Sequence, residues 1–312
     1  MLKFLVERSQ TKVSCYNLDM TEELHKSVLL SEVLEVLKPR PGESYLDLTA
    51  GYGGHASEIL AVTRNYKESV LVDRDPFAVD FLKGKYQGEP IKIVNEDFYN
   101  AVLLQIECGN TFDMILADFG VSSPQLDKAE RGFSFSKDGP LDMRMDQRQE
   151  LSAERIVNRY SERELSELFV KYGEEKPGFS KMIAREIVHH RPFHSTKELA
   201  DLIKSKSRFS RTHPATRIFQ ASRIEVNDEL GVIEKTLPLL PKILKPGGRV
   251  AIITFHSLED KLVKEYFREE SSFGEESKLK ILTKTPIVAE KMELITNPRA
   301  RSAKLRAAKR IN

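Results

Sequence analysis

The 312-residue sequence predicts an α/β protein: a parallel sheet wrapped by helices, with a helical segment inserted into it. Three observations carry that prediction. Short apolar runs alternate with helical periodicity through the first half of the chain. Helical patterns without a strand then occupy the stretch from Glu154 to Leu240. After the turn Lys245-Pro-Gly-Gly248, the apolar run Arg249–Phe255 restores the strand pattern.

In chain order, residues 1–24 form an N-terminal extension, whose first 19 residues precede the helical pattern without joining it. Met20 stands directly before Thr-Glu-Glu-Leu-His-Lys26, so the leader reads as a loose extension or a product of start-site choice. Residues 25–125 form the first part of the sheet domain, opened by an amphipathic helix at Val28–Leu37. Strands are expected at Ser44–Leu48, Ser69–Asp73, Ile91–Val94 and Asp113–Asp118, separated by helices at Gly54–Val62, Pro76–Lys83 and Tyr99–Glu107. Pro76 favours the second of these helices, because its fixed φ suits a first-turn position. Residues 126–240 hold a loop and the inserted helical domain. The stretch Ser122–Met145, rich in Gly, Pro, Ser and Asp, is too long for a plain connection and is therefore suspected of function. Helices follow at Glu154–Tyr172, Gly178–His190, Thr196–Ser205 and Pro214–Leu240. Residues 241–312 complete the sheet domain with a helix at Leu258–Glu269 and a basic C-terminal segment.

Composition excludes several classes. With 49 Lys+Arg against 47 Asp+Glu and 40% hydrophobic residues, the chain is neither disordered by charge nor membrane-rich. No stretch approaches the roughly 20 apolar residues of a membrane helix. The start Met1-Leu-Lys-Phe-Leu-Val-Glu-Arg8 meets charge too early for a secretory segment, so a cytoplasmic location is expected. Cys15 and Cys108 belong to no CxxC pair, which argues against a disulfide framework or zinc knuckle.

The charge is unevenly placed. Leu202–Ile224 contains no acid but carries Lys204, Lys206, Arg208, Arg211, Arg217 and Arg223, with Phe209 and Phe219 between them. Asn297–Asn312 carries Arg299, Arg301, Lys304, Arg306, Lys309 and Arg310. Any single basic run is more often a solvated face, yet two in a chain of balanced charge favour a polyanionic partner.

The Gly-rich turn Asp47-Leu-Thr-Ala-Gly-Tyr-Gly-Gly-His55 follows a strand and opens a helix, a place where backbone approaches a ligand closely. No Gly-Lys-Ser/Thr follows, so it is not a triphosphate loop. A dinucleotide fingerprint competes, with Gly51, Gly53 and a ribose-binding Asp73 at the next strand end. For Asp73, capping of the turn at Asp75-Pro76 competes with binding of any ribose diol. Strand ends bring Asp47, Asp73, Asn95-Glu-Asp97 and Asp118 to one rim. Such acids suit a cationic sulfonium nucleoside better than a pyrophosphate. Asp118-Phe-Gly-Val occupies the place where amino-methyltransferases carry an Asp/Asn-Pro-Pro-aromatic loop, without its two prolines.

The blocks His25-Lys-Ser-Val-Leu-Leu30, Gly51-Tyr-Gly-Gly-His55, Val72-Asp-Arg-Asp-Pro76, Gly120-Val-Ser-Ser-Pro-Gln-Leu-Asp127, Glu130-Arg-Gly-Phe-Ser-Phe135 and Asp138-Gly-Pro-Leu-Asp-Met-Arg-Met-Asp146 occur in this order. Tyr172-Gly-Glu-Glu175, His213-Pro-Ala-Thr-Arg217, Phe255-His-Ser-Leu-Glu-Asp-Lys261 and Asn297-Pro-Arg-Ala-Arg-Ser302 complete the series. From about His25 to Lys309 the chain resembles the bacterial 16S ribosomal RNA cytosine-N4 methyltransferase family (RsmH/MraW type). It departs at Ala117-Asp-Phe119, where that family more often has Leu-Asp-Leu.

The resemblance implies an S-adenosylmethionine-dependent methyltransferase sheet, of Rossmann-like form, with an inserted helical domain for the substrate. It implies S-adenosylmethionine as donor and a decoding-centre cytidine of 16S ribosomal RNA, in naked RNA or the small ribosomal subunit, as acceptor. By the same resemblance Gly53, Gly54 and His55 line the methionine end of the cofactor and Asp73 holds the ribose hydroxyls. Phe98 packs on the adenine side, with Asp118 and Gln125 completing the pocket. A core role competes for Phe98, and a turn role for Gln125. Catalysis is assigned to Asp118, which orients the cytosine N4 amine, with Ser122 and Ser123, joined by Phe133 and Phe135, holding the base. The two basic runs are expected to hold phosphates. Arg191-Pro192 separates His189 and His190 from His194, so no metal site is expected there. His256 is divided between a site role and a structural one. No membrane partner is expected, and a homodimer is left open beside a monomer.

Two other classes compete. A nicotinamide oxidoreductase explains only the Gly-rich turn and Asp73, and it predicts dinucleotide binding. A non-catalytic RNA-binding module explains the basic runs but leaves the cofactor loop idle.

Overall fold

The computed structural model describes residues 27–207, 213–272 and 274–311. The extension 1–24 with Cys15, the motif residues His25 and Lys26, and Arg208, Phe209 and Arg211 lie outside the described residues, as does the side chain of Ser123.

Helix α1 (Leu30–Leu37) leads into β1 (Tyr45–Asp47), followed by α2 (Gly54–Thr63), β2 (Val70–Asp73), α3 (Pro76–Lys85), β3 (Lys92–Asn95), α4 (Phe98–Glu107) and β4 (Phe112–Asp118). The short α5 (Ser123–Asp127) precedes a helical series: α6 (Ala153–Arg159), α7 (Glu162–Lys171), α8 (Pro177–His189), α9 (Thr196–Ser205) and α10 (Ala215–Asn227). Then come α11 (Glu229–Thr236), α12 (Leu240–Ile243), β5 (Leu244–Thr254), α13 (Ser257–Glu270), β6 (Leu279–Ile281), α14 (Lys291–Thr296) and β7 (Lys304–Arg310).

The sheet has seven strands in the order β3-β2-β1-β4-β5-β7-β6. The first five are parallel, and β7 and β6 add antiparallel. The parallel strands are apolar runs because helices cover both faces. Leu46, Val72, Ile115 and Ile252 point into one layer of core, and Tyr45, Leu71, Leu116 and Ile253 into the other. A third core, including Phe133, Ile156, Phe169, Ile183, Leu199 and Ile218, belongs to the helices between β4 and β5. That core ends at Val226, and Ile233 and Leu237 pack with the sheet.

Two expected helices are each broken. Within Glu154–Tyr172, Ser161 starts a new helix: its hydroxyl accepts from Glu164 N–H, and the Glu164 carboxylate accepts from Ser161 N–H at 2.7 Å. Within Pro214–Leu240 the backbone turns at Asp228, whose φ is 47°. Strands β6 and β7 were not expected. Lys304–Arg310 reads as a basic tail, yet it runs antiparallel to β5 from Thr254↔Lys304 to Arg249↔Lys309, with Ala307 and Ala308 fully buried. Cys108 is an exposed free thiol. Among the described residues no helix is long and apolar enough to cross a membrane.

Candidate active site

The strand order reverses between β1 and β4, and crevices for ligands form outside the carboxyl ends of strands at such a point. A cleft lies there, lined by Gly51, Tyr52, Gly54, His55, Asp73, Phe98, Asp118, Ser122 and Gln125 among others. Asp47 ends β1 but does not line the cleft: it is buried and accepts from Tyr45 Oη at 2.7 Å and Thr49 N–H at 3.1 Å. Asp97 does not line the cleft; it caps α4 by accepting from Asn100 N–H at 3.0 Å. Its neighbour Glu96 lines the cleft.

The Gly-rich turn is folded onto Asp73. Gly51 N–H donates to Asp73 Oδ2 at 2.8 Å, and Asp75 N–H donates to Oδ1 at 2.8 Å. The two competing roles of Asp73 are therefore compatible, since its carboxylate ties the turn together at the edge of the cleft. Gly53 has φ 73°, and a Cβ there would come within 3.0 Å of Leu82 Cδ2 and 3.3 Å of Lys85 Nζ, so its side-chain position is closed by α3. Gly51, Tyr52 and Gly54, on either side of it, line the cleft. Glycine is needed at 53 for backbone geometry and helix approach.

Asp118 ends β4 at the centre of the cleft. Its N–H donates to Thr49 Oγ1 at 2.6 Å, and its Oδ2 stands 3.8 Å from His55 Nδ1. Its Oδ1 is sealed from solvent and meets no hydrogen-bond partner among the described residues. Burial, with the charges of Asp47 and Glu259 nearby, holds the Asp118 carboxyl well above the usual carboxylate range. His55 Nε2 donates to the Val28 carbonyl at 2.9 Å, which leaves Nδ1 toward Asp118.

Gln125 is buried and braces the loop that follows. Its Oε1 accepts from Ser122 N–H at 3.0 Å, and its Nε2 donates to Asp75 Oδ2 at 2.9 Å. The same Asp75 oxygen receives Arg131 Nη1 at 2.8 Å. Arg131 Nη2 donates to the carbonyls of Arg144 and Met145, and Met145 lines the cleft. Phe98 stacks on Phe119 with ring centroids 5.3 Å apart, so it is a core aromatic with a face on the cleft. Phe133 and Phe135 do not line the cleft. Phe133 belongs to the core of the inserted helices, and Phe135 packs on His213 and Phe219.

Sequence reasoning missed Glu229 and Glu259, which both line the cleft. Glu259 Oε2 accepts from Phe255 N–H and His256 N–H, and His256 Nε2 lies 3.1 Å from Oε1. Burial alone would raise the Glu259 carboxyl, but His256 and Arg223 hold it below its ordinary value. His256 is therefore a helix cap within an ion pair. Glu229, His256 and Glu259 are grouped closely enough to hold a metal ion. Arg223 already occupies both Glu229 oxygens, at 2.9 and 3.0 Å, so the group has its own cation.

Several cations of the basic runs are held in ion pairs among the described residues. Lys206 meets Glu186 at 2.7 Å, Arg217 meets Glu175 at 3.6 Å and Arg223 is held by Glu229. In the C-terminal run, Lys304 and Arg306 both bind Asp260, at 3.1 and 2.7 Å.

The acids of the rim set a pH dependence. Burial pushes Asp47 up to about 7 and Asp73 up to about 6, against about 4 in an unfolded chain. A carboxyl whose pKa is raised by folding binds protons more tightly in the folded state, so stability falls as pH rises through that window. The ligand-free protein is therefore expected to melt higher at pH 5.5 than at pH 8. Asp73→Asn should flatten the slope; scanning fluorimetry across this range checks both, and a melting point that rises with pH contradicts the assignment.

A profile of the MraW methylase family matches residues 22–311. The chain is 49% identical over 294 residues to a protein of Nostoc sp. named "Ribosomal RNA small subunit methyltransferase H", covering 92% of each chain. A protein of Nostoc punctiforme with the same name is 47% identical over 300 residues, covering 95% of this chain and 97% of the relative. One of Halothermothrix orenii, also so named, is 43% identical over 309 residues, covering 92% and 98%.

Proposed function

The chain belongs to the MraW methylase family, and we propose that it methylates the N4 amine of a decoding-centre cytidine in 16S ribosomal RNA. The chain is an S-adenosylmethionine-dependent methyltransferase. When bound, the cofactor supplies an electrophilic methyl group carried on a sulfonium cation. The cleft fits that cation: Asp73 and Asp118 line it, beside Glu229 and Glu259 that are already paired with Arg223 and His256, and Asp118 Oδ1 is buried without a hydrogen-bond partner among the described residues. Gly51, Tyr52, Gly54 and His55 form the wall toward the methionine end, Asp73 takes the ribose hydroxyls, and Phe98 flanks the adenine.

The single observation that carries the reading is Asp118 Oδ1. An exocyclic amine in the cleft donates one hydrogen bond to the Asp118 carboxylate, which fixes the nitrogen for in-line attack on a methyl group. Ser122, on the braced loop beside it, and the Phe119 backbone wall the base, and the proton released after transfer passes to Asp118 or to water. We assign Ser123 the neighbouring position in that wall. Helices of residues 126–240 form the RNA-facing surface, and the reaction takes place in the cytoplasm. A nicotinamide dinucleotide would instead place its pyrophosphate among these carboxylates.

The test is transfer of labelled methyl from S-adenosylmethionine to small ribosomal subunits lacking the modification, followed by nuclease digestion and mass identification of the nucleoside. N4-methylcytidine from the decoding centre is expected. Label on another nucleoside rejects the acceptor, and binding of NAD(H) in place of S-adenosylmethionine rejects the reaction class.

A further inference from the structure

Arg299 lines the same cleft as Asp118, and nothing in the reaction described above uses it. Its Nη2 donates to both oxygens of Asp127, at 2.8 and 2.9 Å. Asp127 is the last residue of α5, the helix that starts beside Ser122 and contains Gln125. The pair therefore joins the substrate loop to the C-terminal segment across the rim. The exposure of its acid sets it apart from the other ion pairs of the basic runs: Arg217 and Lys304 are 54% and 39% exposed, but their partners Glu175 and Asp260 only 14% and 12%. The side chains of Arg299 and Asp127 are 38% and 60% exposed, against 8% and 12% for Arg306 and Asp260 and 16% and 5% for Arg223 and Glu229. Buried pairs are costly to open, whereas a solvated pair is weak and exchangeable. Arg299 is nonetheless anchored, because the adjacent Asn297, Ala300 and Ala303 are buried. A second cation faces the same carboxylate-bearing residue: Lys137 Nζ donates to the Asp127 carbonyl at 3.2 Å.

We infer that Arg299 takes a backbone phosphate next to the base held at Asp118, and that Asp127 occupies the guanidinium until RNA arrives. The inference rests on the proposed function, since it requires an RNA substrate in the cleft. A phosphate offers the guanidinium the same two-oxygen face as Asp127, with the charge shared over more oxygens. Asp127 thereby serves as a competing anion, which lowers affinity for loosely fitting polyanions.

The test measures co-sedimentation of the full chain with small ribosomal subunits lacking the modification, KM for those subunits, and S-adenosylmethionine affinity by calorimetry. Arg299→Ala is expected to weaken subunit binding and raise KM about tenfold, with S-adenosylmethionine affinity within twofold of wild type. The slope of log affinity against log salt should fall by about one. Asp127→Ala should tighten subunit binding two- to fivefold, and the double variant should match Arg299→Ala. Arg299→Lys should retain part of the affinity, which a purely structural role would not explain. Unchanged subunit binding in Arg299→Ala, while the wild type methylates, overturns this inference alone. Weakened S-adenosylmethionine affinity with unchanged subunit binding overturns it too, by placing Arg299 on the cofactor carboxylate. A wild type that neither binds nor methylates subunits overturns the proposed function itself.

Discussion

Asp118→Ala is expected to reduce methyl transfer by roughly 10²- to 10⁴-fold, the range typical for loss of a positioned acid–base or orienting group, while leaving stability equal or raised. Both halves follow from the same geometry. Among the described residues, Asp118 Oδ1 is sealed from water without a hydrogen-bond partner, and Oδ2 has His55 Nδ1 at 3.8 Å as its ionic neighbour. Burial and the charges of Asp47 and Glu259 raise its carboxyl, so its ionised form opposes folding. Removing it relieves that cost and only slightly enlarges an existing cleft. A residue that weakens the fold and serves the reaction is what a pre-organised site requires. Asp118→Asn separates two roles within the same measurement. The amide keeps an oxygen that accepts from the N4 amine but cannot receive a proton. If orientation dominates, single-turnover rates for Asn fall well above those for Ala; if proton acceptance dominates, the two variants fall together. An Asp118→Ala enzyme with near-normal turnover would remove Asp118 from the reaction, whatever its melting temperature.

The parallel half of the fold was legible because its signals are local. Tyr45–Asp47, Val70–Asp73 and Phe112–Asp118 are apolar runs that close with an acid, and a strand buried on both faces needs only that. Strand β7 was illegible for the opposite reason. Lys304-Leu-Arg-Ala-Ala-Lys-Arg310 is half cationic, and it joins the sheet because Asp260, 46 positions before Arg306, neutralises Arg306 inside the fold. No local pattern announces such a partner. The broken helices show the same limit at short range: Ser161 and Asp228 interrupt apolar periodicity that continues across them.

The site divides along similar lines. Asp73 and Asp118 were legible because a strand end fixes where a side chain goes. That α3 closes the side-chain position of Gly53 was not, since it depends on backbone angles that direct that position at Leu82. Glu229 and Glu259 reach the cleft from two different helices, and only the packing of α11 beside α13 brings them together. The block Phe255-His-Ser-Leu-Glu259 carried a signal, because a strand end followed by a capped helix places its third helical residue near the rim.

Arg131→Ala is expected to destabilise the protein by about 3–5 kcal/mol, a shift of roughly 10 °C in melting temperature. Arg131 and Asp75 are 6% and 4% exposed and 2.8 Å apart, deep between the end of β2 and the segment leading to the inserted helices. Deleting the guanidinium leaves a buried carboxylate served by Gln125 Nε2 and Phe77 N–H, and it orphans the carbonyls of Arg144 and Met145. Replacing both partners, as in Arg131→Met with Asp75→Asn, should cost less than Arg131→Met alone, because no uncompensated charge remains. The pair also links function to fold. Asp75 holds Gln125, Gln125 holds Ser122, and Arg131 holds Met145 against the cleft. Arg131→Met should therefore impair methyl transfer at temperatures where the variant is still folded, with the loss larger for subunits than for S-adenosylmethionine affinity. If it lowers the melting temperature but leaves subunit kinetics untouched below it, the network is a staple between the two cores and does not position the substrate loop.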